Sequence, residues 1–371
     1  MRTTSKSRAS EMFTPQRMLI ARKRLKLTAK AFAEEIGVST SLLSKIETGK
    51  SSISDEVLEK AAQSLGVSTT FLTAGEMTEL PKEAATFRSM ARMTAASAAS
   101  ATAAASYAFE LSDWLDRNYN LPSADIPNFS AIEDPEKAAQ ELRAYWGIGE
   151  RPITDVIRLL ESKGVRVFAL SESDYSVDAY SCWRDDRPYV LLNTIKSGEH
   201  TVFDTAHELG HLVLHRHGAS HSSKNAEYEA NAFASAFLMP ERDVRAEIPR
   251  ILAINQLIEK KHRWKVSLAA LVYRLRKLGK LTEARYRSLY IQMGKRGYRK
   301  DEPSPMQPLK STLWDKVLTD QWQQKRTLSE LASDVDLPEH EVSTLTFRLG
   351  EAAKYGELKP SVGSHLRLVQ T

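Results

Sequence analysis

Phe203-Asp-Thr-Ala-His-Glu-Leu-Gly-His-Leu-Val-Leu-His215 places His207 and His211 four residues apart, with Glu208 beside the first. On a helix, residues four apart share a face, so the two imidazoles can hold one metal ion together. Glu208 then stands within reach of a water on that metal and can serve as its general base. Ala206, Leu209, Gly210, Leu212, Val213 and Leu214 are small or apolar, which predicts a buried site helix rather than a surface helix that carries two histidines by accident. Three further histidines, His215, His217 and His221, follow in or near a polar loop. Surface or capping roles are expected for them, although His215 lies four residues beyond His211.

A catalytic zinc takes three protein ligands and keeps one open position. The next acidic cluster is Glu227-Tyr-Glu229, at the start of a helical stretch that stops before Pro240. Glu227, Ala230, Asn231 and Ala234 share one face by helical spacing. Small residues there would let this helix pack closely on the first and bring Glu227 to the metal. Glu227 is therefore the expected third ligand to Zn2+. Glu229, on another side with Phe233 and Ala236, is the alternate. Asn231 is a candidate partner for Glu227 or a ligand histidine, with helix packing as the other role open to it. His200 and Tyr180 are candidates for lining the cleft and stabilising an oxyanion. Cys182 has no partner at a useful spacing and reads as a strand core residue.

These residues must be positioned by a chain of 371 residues, enough for two or three domains. A hydrophobic fraction of 42% and a charged fraction of 27% are those of an ordinary globular protein. A single cysteine excludes an intrachain disulfide framework and a cysteine-based zinc site. No signal-peptide pattern and no membrane-length apolar run is present, so the expected location is cytoplasmic, with no membrane partner. The net charge of +5 is unevenly spread. Residues 1–30 carry nine Lys/Arg against Glu11, and residues 251–300 carry fourteen against Glu259 and Glu283. Two basic zones suggest a polyanion such as double-stranded DNA, with solvated helix faces as the plainer reading of the second.

The pattern predicts an α+β, predominantly helical protein. A disordered tail at 1–13 precedes a helix-turn-helix bundle at 14–75, whose helices begin at Pro15, Ala29, Thr40 and Asp55. Residues 76–133 form a helical linker, in which the Ala/Ser/Thr-rich run from Ala91 continues through Trp114 as one long helix packed on the next domain. Residues 134–250 form the zinc domain, with three short strands near Val165–Leu170, Asp178–Trp183 and Pro188–Asn193 expected as a small antiparallel sheet. A basic, helix-turn-helix-like subdomain spans 251–303, with Ser267 as a cap and Leu268, Leu271, Val272 and Leu275 as its core. Residues 304–371 form a C-terminal helical element whose acidic residues suggest a partner-binding or homodimer role.

The string LTAKAFAEEIGVSTSLLSKIETGKSSISDEVLEKAAQSLGVSTTFL resembles the Cro-repressor, or XRE, type of helix-turn-helix over about residues 15–73. Ala33, Gly37, Val38, Ser41, Ile46, Glu47, Gly49 and Leu65-Gly-Val67 occupy its core and turn positions. The resemblance implies that Thr40–Glu47 enters the major groove, with Thr40, Ser41, Ser44 and Lys45 facing outward. Arg17, Lys23, Lys30 and Lys50 are then candidate phosphate contacts. Ala29 stands where the family often has Gln, so one common contact is missing.

FDTAHELGHLVLH followed by EYEANAFASAFLMP resembles the ImmA/IrrE family of metallo-endopeptidases, as do WGIGERPI, LLESKGVRVF, DAYSCW, WKVSLAALVYRLRKLG and GYRKDEP. The likeness spans about residues 135–303. It implies a gluzincin-like site with His207, His211 and Glu227 as ligands and Glu208 as base. It also implies a protein substrate such as a helix-turn-helix repressor, whose removal controls stress-response, DNA-damage or mobile-element genes. The expected protein is a DNA-binding zinc endopeptidase, constitutive or latent. A non-proteolytic regulator or antitoxin-like protein that uses the zinc fold as a sensor is the alternative.

Overall fold

Short polar caps and left-handed glycines divide the first part of the chain into helices. The computed structural model describes residues 12–80, 94–170, 179–195, 197–216, 223–250, 253–350 and 367–368. Most of the expected N-terminal tail lies outside them, as do His217, His221 and the segments 351–366 and 369–371. Helices α1 (Pro15–Arg24), α2 (Ala29–Ile36), α3 (Thr40–Glu47), α4 (Asp55–Leu65) and α5 (Thr69–Thr73) follow one another through tight turns. The side chains of Thr28, Ser39, Ser54 and Ser68 each accept a backbone N–H at the start of α2, α3, α4 and α5. Gly37 ends α2 at φ +73°, a conformation that side chains rarely adopt. Met18, Phe32, Leu43, Ile46, Leu58 and Phe71 form the core of this bundle. The Arg22 guanidinium grips the Glu47 carboxylate with two bonds, of 2.6 and 3.0 Å, and so ties α1 to the end of α3.

The Ala-rich run forms one helix, α6 (Ala95–Asn118), followed by the short strand β1 (Tyr119–Asn120). It belongs to the same compact unit as the helix-turn-helix bundle rather than to the zinc domain, where it was expected to pack. Ala101, Ala104, Ala105 and Ala108 are fully buried. Their small side chains let α1 come close, and Ser100 Oγ donates to the Arg24 carbonyl at 2.7 Å.

The second unit covers residues 122–312. Helices α7 (Pro135–Tyr145) and α8 (Val156–Ser162) lead into strands β2 (Arg166–Leu170), β3 (Ala179–Arg184) and β4 (Arg187–Asn193). The sheet is mixed, not antiparallel as expected: β4 is central, antiparallel to β3 and parallel to β2. A two-residue Asp185–Asp186 turn, with Asp185 at φ +54°, closes the β3–β4 hairpin. Pro188–Asn193 takes the middle position, and both it and Arg166–Leu170 are buried throughout.

Four helices complete the site side of this unit: α9 (Gly198–Leu214), α10 (Ser223–Leu238), α11 (Glu241–Glu247) and α12 (Ile254–Trp264). Two more, α13 (Leu268–Lys277) and α14 (Glu283–Lys295), brace them. Many cations of the second basic zone are spent on internal pairs. Lys261, fully buried, meets Glu199 at 2.6 Å and Glu302 at 3.2 Å. Arg263 pairs with Asp243, Lys260 with Glu247, and Arg274 with Glu136. Lys261 and Arg274 are thus internal braces, while Lys295, Arg299 and Lys300 of the same zone are exposed. Ser267 caps α13, and Leu268, Leu271, Val272 and Leu275 are buried, as their spacing predicts.

The chain then returns to the first unit as α15 (Thr312–Gln323), α16 (Leu328–Asp334), α17 (Glu339–Leu345) and the strand β5 (Arg367–Leu368), which pairs with β1. Two of the acids that suggested a partner surface serve internally: Glu341 pairs with Arg24 at 2.9 Å, and Asp334 accepts from Trp114 and Arg326. No helix among the described residues is long and apolar enough to cross a membrane.

Two buried guanidiniums hold the end of α10. Arg143 donates to the carbonyls of Gly149, Arg151 and Phe237, and Arg274 donates to Met239 at 3.0 Å. Cations satisfying the last carbonyls of a helix also complement its dipole. Arg143→Ala strands three carbonyls and is expected to cost about 3 kcal/mol of stability, read from denaturant unfolding of the full chain.

Candidate metal centre

Helix α9 starts at Ser197, whose side chain accepts the His200 N–H, and runs along the sheet. Ala206, Leu209, Leu212 and Val213 are buried, so the opposite edge of the helix presents His207 and His211. Helix α10 crosses beside it. A Cβ on Gly210 would stand 3.1 Å from the Phe233 ring and 3.2 Å from the Ala230 Cα, so glycine is what permits this approach. Ala230 and Ala234 are fully buried at the contact.

The close crossing brings Glu227 to the histidines. His207 Nε2 and His211 Nε2 are 3.1 Å apart, and the Glu227 carboxylate oxygens lie 3.6 and 3.3 Å from them. Four ligands at zinc distances of about 2.0–2.2 Å form a tetrahedron with edges of about 3.3–3.6 Å. The three side chains thus fit one face of such a site, and they are the group of donors that could hold a metal ion among the described residues. Burial, and then the neighbouring His211, push the His207 pKa down to about 3, so the ring is neutral and able to donate a lone pair near neutral pH.

Around these donors stand residues of three elements. Glu208 is 3% exposed, and its carboxylate accepts from Ser181 Oγ on β3 at 2.7 Å. Asn231 donates to the Glu227 carbonyl at 2.8 Å, one turn back on α10. Glu229 is turned away from the three donors and meets His215 Nε2 at 2.8 Å. His215 occupies the C-cap of α9, but it is not a surface residue: its Nδ1 lies 3.0 Å from His211 Nδ1.

Other sequence candidates are placed elsewhere. Tyr180 is fully buried in the sheet. His200 bonds Ser197 at the start of α9, two turns before His207. Cys182 is a core residue whose thiol pKa is driven upward by burial. In the first unit Arg17 is 4% exposed and donates to the carbonyls of Gly75 and Asp336, so it is a core clamp and not a phosphate contact. Thr40, Ser41, Ser44, Lys45 and Lys50 are all exposed, as is Lys30. Sequence reasoning missed Ser181, because a serine on a strand carries no signal of which helix residue it will face. For His215 the signal was present in its spacing from His211.

A helix bearing two histidines and a glutamate, with a second glutamate arriving from a neighbouring helix, defines a metallopeptidase-type domain. Residues 160–276 match the metallopeptidase family described as the IrrE N-terminal-like domain, and residues 19–72 match the family described as helix-turn-helix. The chain therefore joins an XRE-type helix-turn-helix domain to an ImmA/IrrE-type peptidase domain, the fusion its motifs resemble. No curated protein matches the chain at a significant level.

Gly210→Ala forces the α9–α10 contact apart by a few tenths of an ångström. It is expected to cost about 1–3 kcal/mol of stability. Metal affinity should fall with it, measured by chelator competition, because Glu227 moves with α10 while both histidines stay on α9.

Proposed function

We propose that this protein is a DNA-binding, zinc-dependent endopeptidase that cleaves a regulatory protein, a helix-turn-helix repressor being the substrate class that the family resemblance suggests. The observation that carries the reading is the placement of Glu208. It lies next in sequence to the first donor of the His207, His211 and Glu227 set, and Ser181 holds its carboxylate in a buried position. A domain that only bound a partner would have no use for a buried carboxylate secured there.

The donor set of two imidazoles and one carboxylate suits zinc. A zinc ion in this position supplies Lewis acidity toward water and toward the scissile carbonyl. Glu208 takes the proton of the attacking water and delivers it to the leaving amine. Ser181 orients the carboxylate for both transfers. In the sheet order, β3 is an edge strand. An extended peptide can add along that edge, which passes Ser181 and so runs beside Glu208.

Thr40, Ser41, Ser44 and Lys45 are assigned to base and backbone contacts in the major groove, and Lys50 to a phosphate. Their exposure on α3 and just beyond it supports this assignment. The DNA-binding domain then concentrates the peptidase near the genes whose regulator it cuts, in control of stress, DNA-damage or mobile-element functions.

Glu208→Gln is expected to keep zinc and to abolish cleavage of a co-expressed helix-turn-helix repressor, followed by immunoblot. Full regulatory function in that variant would sink the enzyme reading in favour of a non-proteolytic sensor. On the DNA side, Lys50→Ala should weaken binding to any duplex and reduce the slope of log K against log salt by about 1. An unchanged slope would remove Lys50 from the interface.

A further inference from the structure

His215 connects two residues that sequence spacing leaves apart. Its Nε2 lies 2.8 Å from Glu229 Oε2, and its Nδ1 lies 3.0 Å from Nδ1 of His211. The His211 and His215 ring centroids are 5.1 Å apart, with planes tilted by 51°. Glu229 comes from α10, two residues after Glu227, and the side chains of His215 and Glu229 are only 9% and 25% exposed.

The chemistry of these atoms fixes the order of the protons. An ionised carboxylate only accepts, so His215 Nε2 carries a hydrogen and donates to Glu229. A neutral imidazole protonated at Nε2 has a bare lone pair on Nδ1. With His215 neutral, its bare Nδ1 accepts from His211 Nδ1–H, which leaves the lone pair of His211 on Nε2. That is the atom 3.1 Å from His207 Nε2 and 3.3 Å from Glu227 Oε1. The reverse tautomer would turn an N–H toward the other donors and exclude a metal ion.

We propose that Glu229 and His215 form a relay that holds His211 in its Nδ1–H tautomer and in the ring orientation that metal binding needs. Both are positioning residues: neither touches the metal, and both act through His211. Helix α10 thus serves the centre twice, with Glu227 as a ligand and with Glu229 as the anchor of the relay. Glu229, the alternate ligand on sequence grounds, has this different role. The inference rests on the metal reading above and concerns how the ligand set is prepared.

The test uses the full chain, free of metal and titrated with zinc against a chromophoric chelator. His215→Ala and Glu229→Ala are expected to lower zinc affinity by roughly 10–100-fold, the usual effect of losing a partner of a ligand histidine. Glu229→Gln keeps an acceptor for the His215 N–H and should restore most of the affinity. Long-range 1H–15N spectra of the metal-free protein should show His211 as the Nδ1–H tautomer in the wild type and in Glu229→Gln. Wild-type affinity in His215→Ala would overturn the relay, as would an Nε2–H tautomer for His211. Equal losses for Glu229→Gln and Glu229→Ala with none for His215→Ala would make Glu229 a ligand, again overturning it. Should His215→Ala fail to fold, judged by circular dichroism, the tautomer in the wild type and in Glu229→Gln decides. A wild-type protein that takes up no zinc would instead overturn the metal reading itself, and the relay with it.

Discussion

The contact of Gly210 on α9 with Ala230 on α10 is the constraint on which the site depends. Two histidines on one helix make half of a metal site, and the third donor must come from elsewhere. A carboxylate reaches only a few ångströms from its own backbone, so the two helix axes have to approach closely. A hydrogen in place of a side chain at Gly210, and methyl groups at Ala230 and Ala234, allow that approach. The rest of the domain maintains it. Arg143 and Arg274 hold the far end of α10 through its last carbonyls, while the buried Lys261 holds Glu199 near the start of α9.

Preparation of the site extends beyond its donors. Ser181 on the sheet and His215 at the end of α9 each bond a side chain of the candidate metal centre. Rotamers held by such partners keep a reactive geometry without reorganisation when substrate arrives. The sheet contributes in a second way. With β4 central, β3 takes the edge, so the strand that carries Ser181 is also the one on which an extended chain can pair.

Charge had to be read together with contacts. Of the two basic zones, the one in residues 251–300 contains cations already matched to Glu199, Asp243, Glu247 and Glu136 within the same unit. Arg17, in the other zone, is consumed by carbonyls. Exposed cations remain at Lys30, Lys45 and Lys50 in the first unit and at Lys295, Arg299 and Lys300 in the second. Net charge therefore indicated a kind of partner, while burial decided which residues can meet it.

Much of this molecule is legible in local sequence because its determinants are local. Caps such as Thr28 and Ser39, the stop at Gly37 and the four-residue spacing of His207 and His211 act within one or two helical turns, and the helices begin where those residues place them. Glu227 was legible for a related reason: the small residues on its face announce a close helix contact. Long-range choices were settled only by tertiary packing. Strand order did not follow proximity in sequence: β2 pairs with β4 rather than with β3, which turned an expected antiparallel sheet into a mixed one. The Ala-rich helix α6 joined the helix-turn-helix unit because its small face fits α1. The partners of the site, Ser181, His215 and Glu229, emerged only when three elements met, since a hydrogen bond between distant residues leaves no periodic trace in either segment.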